Sequence, residues 1–194
     1  MIRVETLTGS ALDAALDDVA RLRISVFRDW PYLYDGALEY ERDYLESYRT
    51  STGAVVVGAF DGTRLVGAAT GTPMEDHSDD FAAPFSKTPY APKDVFYCAE
   101  SVLLPEYRGQ GIGHRFFDAR EAQARALGRK YSAFCGVIRP DDHPLRPPNY
   151  RTLDAFWRKR GYAPLKGVVA RFGWRDIGHT EQTEKPLQFW LRAL

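Results

Sequence analysis

Cysteine is scarce in this chain, with two in 194 residues. Cys98 and Cys135 each sit inside an apolar run, and neither has a partner at C-x-x-C spacing. They read as reduced core thiols of a cytoplasmic protein, not as a disulfide framework or as nucleophiles. An excess of either charge is also missing: 26 Lys and Arg cancel 26 Asp and Glu, so the basic surplus of a nucleic-acid binder is absent. No run approaches the roughly 20 apolar residues of a membrane helix. The N-terminus alternates (Ile2-Arg3-Val4-Glu5) and has no signal-peptide core. Four metal ligands at recognisable spacing are lacking too. His143 beside Asp141 and Asp142 is the nearest approach, so no metal is expected.

What is present is enough for one packed domain. The 44% hydrophobic share over 194 residues matches a single core, and a chain of about 150 residues already buries near 70% of its unfolded surface without staples. Residues 2–7 alternate as a strand. Ser10 and Asp13 form an S-x-x-D capping box ahead of Leu12, Ala15, Leu16, Val19, Leu22 and Val26, the apolar stripe of a helix that Trp30-Pro31 breaks. A second short helix is expected over 38–49. The β-branched run 54–60, the turn Asp61-Gly62 and the run 65–72 read as a hairpin. Residues 73–94 hold four prolines and several acids, and read as a long insertion, either solvated or acting as a lid.

Val95–Leu104 is a long apolar strand interrupted only by Glu100. Gly111–Leu127 is a helix with Gly128 at its C-terminal cap, and Tyr131–Ile138 is another buried strand, so a parallel βαβ pair is expected. After a proline-rich loop (139–150), a short helix over 152–160 should bury Leu153, Phe156 and Trp157, with cations in its last turn and Gly161 at its end. Two further strands fall within Gly167–Trp174 and Leu187–Leu191.

The segment richest in chemistry is Leu103-Leu-Pro-Glu-Tyr-Arg-Gly-Gln-Gly-Ile-Gly-His114. It sets R-x-x-G-x-G between a strand and a helix, where glycines permit a tight turn and free amides meet the positive end of the helix dipole. Phosphate or pyrophosphate is the natural ligand of such a turn. A Walker loop is excluded because His114-Arg115 stand where Lys-Ser/Thr is required, and the dinucleotide fingerprint fails because His114 or Phe116 occupies its last position.

With these residues the chain resembles the GNAT superfamily of N-acetyltransferases. Arg108–Gly113 is similar to that family's acyl-CoA pyrophosphate motif, Val102–Arg108 to the strand leading into it, and Phe156–Tyr162 to its later aromatic–Gly–aromatic segment. Glu100–Pro105 and Glu184–Trp190 also resemble the acetyltransferase-like domain found fused to carbon–nitrogen hydrolases. The resemblance implies a single α/β (α+β) domain over 1–194 with about six or seven strands in a mixed sheet and about four helices. It implies transfer of an acetyl or other acyl group from acetyl-CoA to the primary amine of a small molecule or peptide, by direct attack in a ternary complex. Coenzyme contacts fall on Val102, Leu103 and Leu104, whose strand would splay from its neighbour, and on Arg108, Gly109, Gln110, Gly111, Ile112, Gly113 and His114. The Leu103 amide would polarise the thioester carbonyl.

An amine of pKa about 10.4 is mostly protonated at neutral pH and needs a base. Glu100, a lone carboxylate in an apolar strand, is the candidate; a glutamate paired with an arginine, or one acting through water, is the competing reading. The family's usual tyrosine acid is replaced by Trp157, which gives no proton. Tyr150 is the substitute, with Tyr97, Tyr107 and Tyr131 also nameable, and His143 is assigned to substrate contact. Homodimerisation follows only from base rates. A non-catalytic acyl-CoA sensor is the alternative reading.

Overall fold

The computed structural model describes residues 2–77 and 79–194. Seven strands form one sheet: β1 (Arg3–Leu7), β2 (Val55–Asp61), β3 (Arg64–Pro73), β4 (Val95–Leu103), β5 (Tyr131–Val137), β6 (Ala163–Arg175) and β7 (Gln182–Ala193). Their spatial order is β1-β2-β3-β4-β5-β7-β6. Neighbours are antiparallel except β4 and β5, the parallel pair expected from the strand–helix–strand pattern. The helices are α1 (Gly9–Phe27), α2 (Leu38–Thr50), α3 (Asp79–Ala82), α4 (Ile112–Ala126) and α5 (Asp154–Lys159).

Both faces of the sheet are covered, which explains the unbroken Val55-Val56-Val57 run: a strand buried on two sides does not alternate with polar residues. Val55 and Val57 join Phe116 and Phe117 of α4 on one face. Val56 joins Val19 of α1 and Leu45 of α2 on the other. A third cluster fills the β5-β7-β6 half with Tyr97, Trp174, Phe189 and Phe85 of the insertion. The Asp61-Gly62 turn joins β2 to β3, with Gly62 at φ +59. The C-terminus of α4 is a Schellman cap: the Gly128 amide donates to the Arg125 carbonyl (2.9 Å), and that of Arg129 to Ala124 (2.9 Å).

Several expectations are corrected. Ser10 does not cap α1. Strand β1 runs to Leu7, so the chain turns over one residue, Thr8, whose carbonyl accepts from the Ala11 and Leu12 amides (3.2 and 3.4 Å). Ser10 therefore lies within the first turn. Leu153 is not buried but 55% exposed, because α5 starts at Asp154 and the helical phase that would align Leu153 with Phe156 and Trp157 never reaches it. Strands β6 and β7 extend well beyond Gly167–Trp174 and Leu187–Leu191. A register shift between Pro164 and Val169 absorbs Gly167, and the polar flank of β7 is tolerated because Lys185 is buried against Asp176 (3.1 Å). The insertion carries three short 3-10 turns besides α3; Ser78 within it lies outside the described residues.

Candidate active site

The site begins where β4 and β5 part. Their pairing covers only Val95–Tyr97 against Tyr131–Ala133, yet β4 runs on to Leu103 and β5 to Val137. The Leu104 amide donates to the Val66 carbonyl of β3 (3.0 Å). Antiparallel pairing alternates, so the Val102 amide faces β3 as well, and the Leu103 amide faces the open edge that β5 has left. Of the three backbone positions expected to meet a coenzyme arm, Leu103 is the one whose N–H is free on that side.

Beyond β4 the chain makes one 3-10 turn (Pro105–Tyr107), pinned by the Tyr107 hydroxyl on Asp61 (2.9 Å), and enters the glycine turn. Gly109 and Gly111 both have φ +78, the left-handed region that other residues avoid. A Cβ at either would meet nothing within 4 Å, so glycine is required there by conformation, not by crowding. Gly113 differs: its Cβ would lie 3.4 Å from the Phe156 ring, where α5 packs on α4. Arg108, Gly109, Gln110 and Gly111 are exposed. Among the described residues, the amides of Gly109 through Gly113 have no acceptor. The His114 amide donates instead to the Gly111 carbonyl (3.1 Å), so the free cradle spans 109–113 and stops short of residue 114. Five unpartnered donors at the start of a 15-residue helix fit a diphosphate by geometry and charge.

Glu100 reaches the other face of β4 through a bulge. Thr70 pairs with Glu100 and Thr72 with Tyr97, so Gly71 stands opposite both Cys98 and Ala99. The extra residue brings Tyr97, Ala99 and Glu100 together along a cavity of about 400 Å³. Cys98 turns into the core beneath α4. The cavity wall also includes Phe27 of α1, Tyr44 of α2, Phe81 of α3, and Phe172 and Trp174 of β6.

Glu100 is 8% exposed. It pairs with the Arg23 guanidinium through Oε1 and accepts from the Tyr44 hydroxyl at Oε2 (3.0 Å). The Arg23 Nε donates to Glu41, and its guanidinium lies over the Tyr44 ring (4.3 Å). Burial alone would lower the Arg23 pKa, but Glu100, Tyr44 and Glu41 outweigh it and hold it well above the ordinary value. Burial, then Glu100, pushes the Tyr44 phenol up, so Tyr44 keeps its proton and acts as donor. Burial likewise raises the thiols of Cys98 and Cys135.

Tyr97 lines the cavity; Tyr107 is tied to Asp61 and Tyr131 packs on Tyr90 (4.9 Å). Tyr150 and His143 do not line it; both rings rest on Trp30 (5.9 and 5.1 Å). Trp157 is packed between Phe134 and Trp190 (4.9 and 5.1 Å). Among the described residues no three His, Cys, Asp or Glu side chains gather as metal ligands. Arg23 and Glu41 are the members that sequence reasoning missed. Their signal is a charge in phase with a buried stripe: Arg23 follows Val19 by four, and Glu41 precedes Leu45 by four.

A parallel strand pair that opens above a glycine turn, beside a cavity with a buried carboxylate, defines an acyltransferase architecture. The model of the acetyltransferase (GNAT) family matches residues 19–147, and the chain belongs to that family. No curated protein matches the sequence. Among solved structures the fold is similar to a ribosomal-protein-alanine N-acetyltransferase from Brucella melitensis (TM-score 0.63, 15% identity, 99% of each chain). It is similar also to a phosphinothricin acetyltransferase from Sinorhizobium meliloti in complex with AcCoA (TM-score 0.63, 16% identity, 100% of this chain and 88% of that one). A third is a GNAT-family acetyltransferase from Streptococcus pneumoniae (TM-score 0.59, 12% identity, 100% of both chains). At these identities the likeness is one of fold.

Proposed function

We propose that this acetyltransferase moves an acetyl group from acetyl-CoA to a primary amine, by direct attack with both substrates bound. The observation that carries the reading is the position of β4. One edge of the strand opens toward the free amides of 109–113, and its bulge presents Glu100 to a cavity of about 400 Å³. Residues 109–113 are the phosphate cradle, and the Leu103 amide is the donor available to a carbonyl oxygen in the open edge. Acetyl-CoA supplies an activated acyl thioester when bound. Glu100 takes up the proton that an ammonium must shed, and Tyr44 and Arg23 fix the direction in which its carboxylate points. An acyl-enzyme is disfavoured because both thiols are buried and their pKa values raised. A thiolate leaves without an acid, since thiols titrate near 8.5. Tyr150 therefore acts only if its loop brings it from Trp30 to the opening. A cytoplasmic location goes with this reading, on the two unpaired buried cysteines.

The test is Gly111→Val. A β-branched residue at φ +78 costs on the order of 1–3 kcal/mol and turns the amides away. Coenzyme A affinity, measured by calorimetry, should fall at least about tenfold; unchanged affinity removes the cradle. Both Glu100 oxygens are engaged and Trp157 offers no proton, and these two facts favour the acyl-CoA sensor as the second reading. Release of free thiol from acetyl-CoA with an amine present decides between them, because a sensor releases none.

A further inference from the structure

The cavity that β4 presents to the acceptor carries a chemical signature of its own. Its wall contains an unbroken arc of aromatic contacts. Tyr97 meets Phe81 (5.2 Å between ring centres), Phe81 meets Phe172 (5.5 Å), Phe172 meets Trp174 (6.4 Å), Trp174 meets Tyr32 (5.8 Å) and Tyr32 meets Phe27 (4.3 Å). All six rings line the cavity, and they come from four separate parts of the fold, α1 with the loop after it, α3, β4 and β6. At its Phe27 end the arc meets the Arg23, Glu41 and Glu100 group, since the Arg23 guanidinium lies over the Phe27 ring (5.2 Å).

The charges on that wall do not cancel. Among the described lining residues the cations are Arg23 and Arg175, and the anions are Asp35, Glu41 and Glu100. Arg175 is taken by Asp35 (2.8 Å), which leaves one guanidinium between two carboxylates. Glu41 is fully buried and hydrogen-bonded by Arg23, so its charge reaches the cavity through the field of the group and not by direct contact. A surplus buried negative charge is costly unless a ligand supplies the missing cation. An ammonium does so, with up to three N–H donors, and the surrounding ring faces attract a cation as well.

We infer that the acceptor is a small primary amine with a flat aromatic body and no carboxylate, its ammonium drawn to Glu100 by the net negative charge of the Glu41, Arg23 and Glu100 group and its ring held within the arc. The inference rests on the amine acceptor of the proposed function and narrows it. An α-amino acid would bring a carboxylate to a wall whose two cations are already spent. A polyamine would place further ammonium groups against rings where no second free carboxylate waits. The cavity, at about 400 Å³, falls in the usual range of small-molecule sites, about 300–1,000 Å³.

The test is calorimetric binding of 2-phenylethylamine, phenylalanine and spermidine to the intact protein, with thiol release from acetyl-CoA followed in parallel. 2-Phenylethylamine should bind at least about tenfold more tightly than either of the others. Glu41→Gln, which keeps the hydrogen bond to Arg23 and removes the charge, should weaken it by about tenfold. Phe172→Ala should weaken it by about threefold or more, the value of one ring contact, and leave spermidine unaffected. Phe172 is outside the ion-pair group, so it carries the test if Glu41→Gln fails to fold. Equal affinities, tighter binding of spermidine or phenylalanine, or an unchanged affinity in folded Phe172→Ala overturns the inference. Thiol release with spermidine but not with 2-phenylethylamine overturns it too, and leaves amine acetylation standing. Tight 2-phenylethylamine binding with no thiol release supports the ligand class and overturns acetyl transfer.

Discussion

At residues 109–113 the protein offers a ligand its main chain: five amides, two glycines at positive φ, and no side chain in the way. At Glu100, on the strand that leads into that turn, it offers side chains gathered from α1, α2, α3, β4 and β6. The first region is local, and the twelve consecutive residues Leu103–His114 specify it. The second exists only after α1, α2 and α3 have docked on the sheet. Binding a diphosphate, the same in every coenzyme A, needs only backbone and dipole. Choosing one acceptor from many needs shape and charge that backbone cannot vary, so it falls to residues far apart in sequence.

The contrast can be broken by substitutions that should affect one region and spare the other. Glu100→Gln is expected to lower turnover by about 10²–10⁴-fold, the usual contribution of a positioned base, with coenzyme A affinity unchanged. Gly111→Val should do the reverse to affinity. Loss of coenzyme binding in Glu100→Gln would mean that the regions are coupled. Arg23→Met leaves Glu41 and Glu100 facing each other without a cation, and should cost about 3–5 kcal/mol of folding stability in denaturant titration; coenzyme affinity of the protein that remains folded should hold.

A third measurement uses pH. His77 packs on Tyr97 and Phe81 (both 4.8 Å) behind the cavity, and burial lowers its pKa to about 4, with nearby Glu100 opposing the shift. Its folded pKa lies below its unfolded value of about 6.5, so the unfolded chain takes up the proton first. Stability is full above pH about 6.5 and should decline by about 3 kcal/mol as pH falls to about 4. His77→Phe should flatten that slope in thermal melts. The smallest effect is expected at Leu153→Ala, within about 0.5 kcal/mol, because the side chain is largely in solvent; a larger loss would place it in a packed region after all.

The parts of the fold legible in sequence were those whose cause is local. The hairpin at Asp61-Gly62, the strand–helix–strand around Arg108–Gly113 and the Gly128 cap each depend on neighbours within a few residues. The Ser10 capping box failed because a cap depends on where the preceding strand ends, which the S-x-x-D pattern does not encode. Leu153 failed because helical phase says nothing about where a helix starts. Glu100 was legible as an anomaly, a charge inside an apolar strand, but its partners were not: Arg23 and Glu41 sit on helices whose other buried positions are apolar, and only the docking of those helices shows that two acids share one base.

The bulge opposite Gly71 has a consequence for how such a protein can change. Side chains on a strand alternate, so the phase of β4 beyond Cys98 hangs on one surplus residue. Were β4 to run straight with the same residues, Glu100 would turn away from the cavity and under α4, toward Arg120, and Ser101 would take its place; deleting Ala99 removes the surplus residue and leaves Glu100 where it is. The bulge itself, and not the residue count alone, therefore decides whether the carboxylate faces the chamber, and the glycine turn a few residues downstream does not depend on it.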